Sequence, residues 1–73
     1  MEEWNGGSKI LIGGQVVFET EGLLTMEDVL REKLRRGIGS CDVRDVATGK
    51  SLKREDFPRT GAVEIIPVFK PGN

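Results

Sequence analysis

The sequence predicts a small α+β domain in which a mixed sheet of four to five strands packs on one helix. Three observations predict it: one amphipathic segment with clear start and stop signals, two β-prone runs on either side of a Gly-Gly pair, and an apolar run close to the last residue. These segments span residues 24–38, 9–20 and 62–69. The expected order is two strands, the helix, a strand, a short strand or turn, and a final strand.

The helix has the clearest signals. Thr25 is placed to cap its first turn, Asp28 three residues later completes an approximate capping box, and Gly37 supplies a left-handed end. Apolar residues recur at helical spacing and predict one buried face, while the charged residues between them, Glu32 included, are expected to face solvent. The predicted buried stripe consists of Met26, Val29, Leu30 and Leu34.

Residues 9–12 and 15–20 predict a β-hairpin whose register has two solutions. A two-residue Gly-Gly turn places Ile10 opposite Val17, whereas a three-residue turn that includes Gln15 gathers four apolar side chains on one face. We favour the three-residue turn, because a slip of one residue would expose half of these side chains. It directs Ile10, Ile12, Val16 and Phe18 toward the helix, and Leu11 and Val17 outward.

The second half of the chain predicts the remaining strands. Residues 41–47 alternate as a strand until Val46, where a bulge near Asp45 would explain the broken period. Residues 53–58 predict a short helical turn anchored by Phe57. The final strand, 62–69, is expected beside the first strand, parallel to it and central in the sheet, so that the helix crosses over both hairpins. We therefore divide the chain into an N-terminal arm (1–8) with Trp4, a domain (9–70) and a tail (71–73).

Composition and charge exclude several classes of function. The 73 residues include no histidine and one cysteine, Cys41, which excludes an internal disulfide, a Cys/His metal site and a histidine-dependent triad. We expect no catalytic residue, metal or cofactor, and hence no enzymatic activity. The net charge of -1 gives no global case for nucleic-acid binding. Four dispersed carboxylates are read as surface charge: Asp42, Asp45, Glu55 and Asp56.

No stretch approaches transmembrane length, and the first residues lack the cationic and apolar pattern of a signal peptide. We therefore expect a soluble, cytoplasmic protein with no membrane partner. A monomer is the expected state.

The segment from Thr48 to Phe69, TGKSLKREDFPRTGAVEIIPVF, resembles the second half of ubiquitin in layout, with a Gly-Lys turn, a leucine, a short helical turn and a final apolar strand. It is still more similar to the sulfur carriers of thiamine and molybdopterin biosynthesis. In those proteins an acidic residue, an aromatic residue, a few turn residues and a glycine lead into an apolar strand with a proline near its end. The matching residues here are Glu55-Asp56-Phe57, Thr60-Gly61 and the run from Val63 to Phe69.

This resemblance covers about residues 9 to 70 and implies the ubiquitin-like β-grasp fold, with element order ββαββ. Members of the family that are activated end in Gly-Gly, whose carboxylate is adenylated by a partner enzyme; this chain has Pro71-Gly72-Asn73 instead. Two functions are open. The first is a docking protein without chemistry of its own. The alternative is a sulfur carrier or protein modifier, activated at Gly72 by an adenylating enzyme after loss of Asn73.

The face of the sheet opposite the helix is the candidate docking surface. If the first and last strands are neighbours, four apolar residues are expected to point to that side, where ubiquitin's final strand contributes to its recognition patch. Contiguous exposed apolar residues flanked by charge commonly mark binding surfaces. The predicted partner-binding residues are Leu11, Val17, Ile66 and Val68, together with the tail. The alternative is that Trp4 and the N-terminal arm cover this surface.

Overall fold

The computed structural model describes residues 7–68. Within them the chain forms a small α+β domain with one α-helix and a mixed four-stranded sheet, as expected. The elements in chain order are β1 (Ser8–Ile12), β2 (Gln15–Thr20), α1 (Met26–Arg35), β3 (Cys41–Asp45), a 3₁₀ turn (Arg54–Asp56) and β4 (Gly61–Pro67). The predicted arm with Trp4, apart from its last two residues, lies outside the described residues, as do Phe69 and the tail with Gly72.

The strand order in the sheet is β2-β1-β4-β3. The two central strands, β1 and β4, are parallel, and each has an antiparallel outer neighbour. This confirms the prediction that the last strand lies beside the first in the centre of the sheet. The central strands supply half of the buried hydrophobic residues, Ile10, Val63 and Ile65, because every second residue of each faces the helix. The buried hydrophobic residues are Ile10, Leu24, Val29, Val43, Val63 and Ile65.

The β1–β2 hairpin differs from the predicted register. Its loop has two residues, Gly13 and Gly14, with φ of 60° and 82°, so Ile12 pairs with Gln15 and the three-residue turn is wrong. Positive φ at both loop positions is the geometry that fits the twist of a tight hairpin. A β-bulge then shifts the register, so that Ile10 still faces Phe18. The bulge therefore keeps the expected pairing of Ile10 with Phe18 although the loop has two residues.

The ends of α1 follow the predicted signals. The Asp28 N–H donates to the Thr25 hydroxyl at 3.2 Å and the Thr25 N–H donates to the Asp28 carboxylate at 3.0 Å, which is a capping box. At the other end Gly37 has a φ of 67°, and the Ile38 N–H donates to the Lys33 carbonyl at 2.9 Å. This is a Schellman motif, which satisfies carbonyls at the helix end.

The buried face of α1 is not the predicted one. Val29 is buried as expected, but Leu30 is 45% exposed and Leu34 is 81% exposed, whereas Glu32 is 0% exposed. The reason lies before the helix begins. Leu24 is fully buried and held in an antiparallel bridge to Arg59, with backbone hydrogen bonds of 2.7 and 3.0 Å. Leu24 and Val29 occupy the two positions of a hydrophobic staple, so the anchored Leu24 sets the rotation of the helix.

β3 also ends differently from the prediction. Its register with β4 is regular through Asp45, without the expected bulge, and Val46 begins a turn. The Thr48 hydroxyl donates to one oxygen of Asp45 at 2.7 Å, and Arg59 donates to the other at 2.6 Å. Asp45 is buried, so reading it as surface charge is wrong. Thr48 and Arg59 supply the hydrogen bonds that water would otherwise make to its carboxylate. These contacts, the Thr48 hydroxyl first, hold the pKa of Asp45 below its usual value.

Candidate docking face

The side of the sheet away from the helix is defined by strand alternation. Val63 and Ile65 of β4 are buried against the helix, so Glu64 and Ile66 project to the opposite side. We call this side the outer face. Its members come from all four strands: Lys9 and Leu11 (β1), Val16 and Glu19 (β2), Asp42 and Arg44 (β3), and Ala62, Glu64 and Ile66 (β4).

Leu11 is at the centre of the outer face. It pairs with Val16 on one side and with Glu64 on the other, and Ile66 lies two residues further along β4. Leu11 is half-buried, whereas Val16 and Ile66 are 45% and 37% exposed. The structure therefore places an apolar residue from each of three neighbouring strands on one surface.

Glu64 divides this apolar surface. One of its carboxylate oxygens accepts a hydrogen bond from the Gly14 N–H at 3.0 Å, so the side chain extends toward the hairpin loop. Glu64 lies opposite Leu11 of β1 and two residues before Ile66 in β4, so it is next to both, and it is half-buried. The outer face is thus an apolar surface with a fixed carboxylate inside it, which adds an acceptor for a partner's donor to the apolar contacts.

A charged pair borders the outer face on β3. The Arg44 Nε donates to Asp42 at 2.7 Å, and the Ser51 hydroxyl donates to the same carboxylate oxygen at 3.2 Å. The hydrogen bond from Arg44 holds the pKa of Asp42 below its usual value, so this carboxylate stays charged at neutral pH. An apolar surface with a charged border is typical of a protein-binding site.

The four predicted docking residues do not all lie together. Leu11 and Ile66 share the outer face, and Val68 is exposed just beyond β4, where its N–H donates to the Ser40 carbonyl at 3.0 Å. Val17 is different: it is half-buried at the bulge and packs against the core. The prediction that Val17 points outward is therefore wrong, and Val16 takes that position.

The sequence contains a signal that places Val16, and not Val17, on the outer face. Two consecutive glycines permit positive φ at both loop positions, which is characteristic of a two-residue hairpin loop. With that loop, only a bulge in β2 brings Phe18 opposite Ile10, and the bulge carries Val16 to the outer face. The pairing of Val16 with Leu11 follows from these two steps.

The described residues offer little for other kinds of site. No group of three or more Cys, Asp or Glu side chains in residues 7–68 is placed to hold a metal ion. Within the same residues no helix has the length and apolar character needed to cross a membrane. Cys41, at the start of β3, is a free thiol of intermediate exposure that packs against the core.

Comparison of the chain with protein-family models, with curated proteins and with solved structures gives no significant match.

Proposed function

We propose that this chain is a ubiquitin-like β-grasp protein, similar to the sulfur-carrier branch, that docks to a protein partner in the cytoplasm and has no catalytic activity of its own. Its docking surface is the outer face together with the tail. The contact residues are Leu11, Val16 and Ile66, with Val68 at the border.

The sheet topology supports the β-grasp assignment. β4 is parallel to β1 at the centre of the sheet, and the buried residues of α1 pack on one side of these two strands. The resemblance carried by residues 48–69 implies this central, parallel last strand. The pairing of Ile65 in β4 with Ile12 in β1 agrees with that implication.

The observation that carries the docking proposal is the exposure of apolar side chains on the outer face. Val16 and Ile66 are exposed beside Leu11, and the helix packs against the other side of the sheet. Surface apolar residues that occur singly need no explanation, but a group from three adjacent strands offers a partner apolar area to bury. Glu64 and the Asp42–Arg44 pair add directional polar contacts.

The carrier alternative stays a prediction. It depends on Gly72 and on removal of Asn73, and both residues lie outside the described part of the chain. Intact mass of the protein from its native host separates the two functions. Loss of Asn73 with exchange of one oxygen for sulfur would establish activation, whereas persistence of the full-length mass favours docking alone.

The docking proposal is tested with Ile66→Asp. We expect this variant to stay folded with a lower unfolding midpoint, because the new carboxylate faces Asp42 across the β3–β4 pair. Assayed well below that midpoint, it should lose the proteins that the immobilised parent captures from a host lysate, quantified by mass spectrometry. Leu23→Asp is the matched control, because Leu23 is also exposed but precedes α1 and lies outside the sheet. Equal capture by the Ile66→Asp variant and the parent would refute the proposal.

A further inference from the structure

The side of α1 that faces away from the sheet carries two exposed leucines. Leu30 and Leu34 are four residues apart, so their side chains are adjacent on one helix face. Leu34 is the most exposed of the large hydrophobic residues in the described chain. The pair lies on the opposite side of the domain from the outer face, so the docking proposal does not account for its exposure.

Charge on this side of α1 changes sign along the helix. Glu27 lies one turn before the leucines, is exposed, and has no ion-pair partner among residues 7–68. Arg31 and Arg35 follow on the same side, with side chains 52% and 67% exposed. Along the helix the surface therefore carries Glu27 at its N-terminal end, Leu30, Arg31 and Leu34 in the middle, and Arg35 at its C-terminal end. The charge of Arg31 is balanced by Asp28 of the same chain, 3.1 Å away.

We propose that this surface binds a second copy of the chain, with the two α1 helices antiparallel about a twofold axis. Reversal of the second helix places Glu27 of each copy near Arg35 of the other, while the leucines meet in the middle. The helix dipoles also oppose each other in this arrangement. The same register brings Arg31 of each copy near the axis, where Asp28 of its own chain balances its charge. The interface is therefore self-complementary at both ends, as a twofold dimer requires.

Other occupants satisfy the surface less well. An acidic peptide would pair with the arginines but would place like charge against Glu27, and a basic peptide would do the opposite. A reversed copy pairs both ends. The helix has ten residues and is about 15 Å long, so its contact area is small compared with the roughly 800 Å² per partner of a stable complex. The association is therefore weak and concentration-dependent.

Sedimentation equilibrium of the full chain in low salt, from about 20 µM to about 1 mM, tests the proposal, because dissociation constants within these concentrations correspond to weak binding. We expect the weight-average mass to rise above that of a monomer, and less so in high salt. Leu34→Asp should abolish the rise, and Val46→Asp, at an exposed valine away from α1, should retain it. A parent that stays monomeric at every concentration, or an unchanged Leu34→Asp variant, would overturn the proposal.

A mixing experiment tests the antiparallel arrangement. Glu27→Lys alone and Arg35→Glu alone each replace two attractive contacts by repulsive ones, so each should weaken self-association by about two- to thirtyfold, which corresponds to the loss of two exposed ion pairs. In an equimolar mixture the lysine introduced into one chain would face the glutamate introduced into the other, and association should return. Failure of the mixture to associate would contradict the antiparallel pairing, provided that both variants keep the parent's circular dichroism.

A second measurement covers the case in which Arg35→Glu fails to fold, since Arg35 also lies 3.6 Å from Glu32. A spin label at position 27, in a Glu27→Cys, Cys41→Ser chain, is mixed with ¹⁵N-labelled parent. In the proposed dimer the label broadens the amides around Arg35 of the parent. Broadening centred on residue 27 of the parent would refute it, because that pattern requires the two helices to be parallel.

Discussion

Replacement of Glu32 by methionine should stabilise the protein. The Glu32 side chain is buried beneath α1, and neither carboxylate oxygen has a hydrogen-bond partner among the described residues. Within residues 7–68 its charge is compensated by two guanidinium groups alone, with Arg36 Nε at 3.4 Å and Arg35 Nη1 at 3.6 Å. Both arginines are substantially exposed, so their removal from the ion pair leaves no buried charge behind.

The magnitude follows from two opposing contributions, and the measured behaviour of other buried ion pairs gives an independent check. A methionine at this position has a similar length and helix propensity to glutamate, and complete burial of its side chain is worth about 1.5–3 kcal/mol. Loss of two contacts to exposed arginines costs about 0.2–1 kcal/mol each. Exchange of a buried ion pair for a well-packed apolar group is typically neutral or stabilising by about 1–4 kcal/mol. We therefore expect Glu32→Met to raise the free energy of unfolding by about 1–2 kcal/mol.

Thermal unfolding followed by circular dichroism measures this change. For a domain of this size, about 1 kcal/mol corresponds to a shift of roughly 4–8 °C in Tm. Glu27→Met is the matched control: it has the same chemistry on the exposed side of the same helix, and its Tm should change little. A Tm for Glu32→Met that equals or falls below the parent's, with Glu27→Met unchanged, would show that the buried carboxylate is stabilising and that the reasoning is wrong.

Three further predictions use the same assay. Leu34→Ala should change the free energy of unfolding by less than about 0.5 kcal/mol, whereas Ile65→Ala, at a fully buried position, should lower it by about 2–5 kcal/mol. Equal losses of stability in the two variants would mean that α1 buries Leu34 and is rotated from the orientation described above. Gly14→Ala should cost about 1–2 kcal/mol, because alanine is strained at a φ of +82° although no atom lies within 4 Å of its Cβ. The pKa of Asp45 is lowered in the folded state, so the stability that its ionised form contributes is complete above its unfolded pKa of about 3.9 and is lost as pH falls through the folded value. Asp45→Asn should therefore flatten the acid-side slope of the unfolding free energy against pH. An unchanged slope would argue against the contacts of Asp45 with Thr48 and Arg59.

The parts of the fold that sequence analysis predicted correctly depend on local chemistry. The capping box of Thr25 and Asp28 and the left-handed Gly37 need only neighbouring residues, so their signals are complete in a short window. The central position of β4 was predicted because an apolar strand after a single helix has to pair beside β1. Strand β2 was predicted with its observed bounds, Gln15–Thr20.

The predictions that failed depend on contacts between distant residues. The apolar periodicity of α1 indicates a stripe through Leu30 and Leu34, but it carries no information about which way the neighbouring chain turns the helix. That direction is set by the backbone bridge from Leu24 to Arg59, two residues that are far apart in the sequence. The burial of Asp45 has the same origin, since Arg59 is 14 residues away.

Arg59 thus links the two largest departures from the sequence-based expectation. Its backbone holds Leu24 and so determines the face that α1 buries, while its guanidinium holds the buried Asp45 at the end of β3. The two roles are separable, because the bridge to Leu24 uses only main-chain atoms. Loss of the Arg59 side chain would therefore leave the buried Asp45 without its cation while the rotation of the helix persists. The exposed leucines of α1 are a consequence of the backbone path around residue 59, and not of the charge that the residue carries.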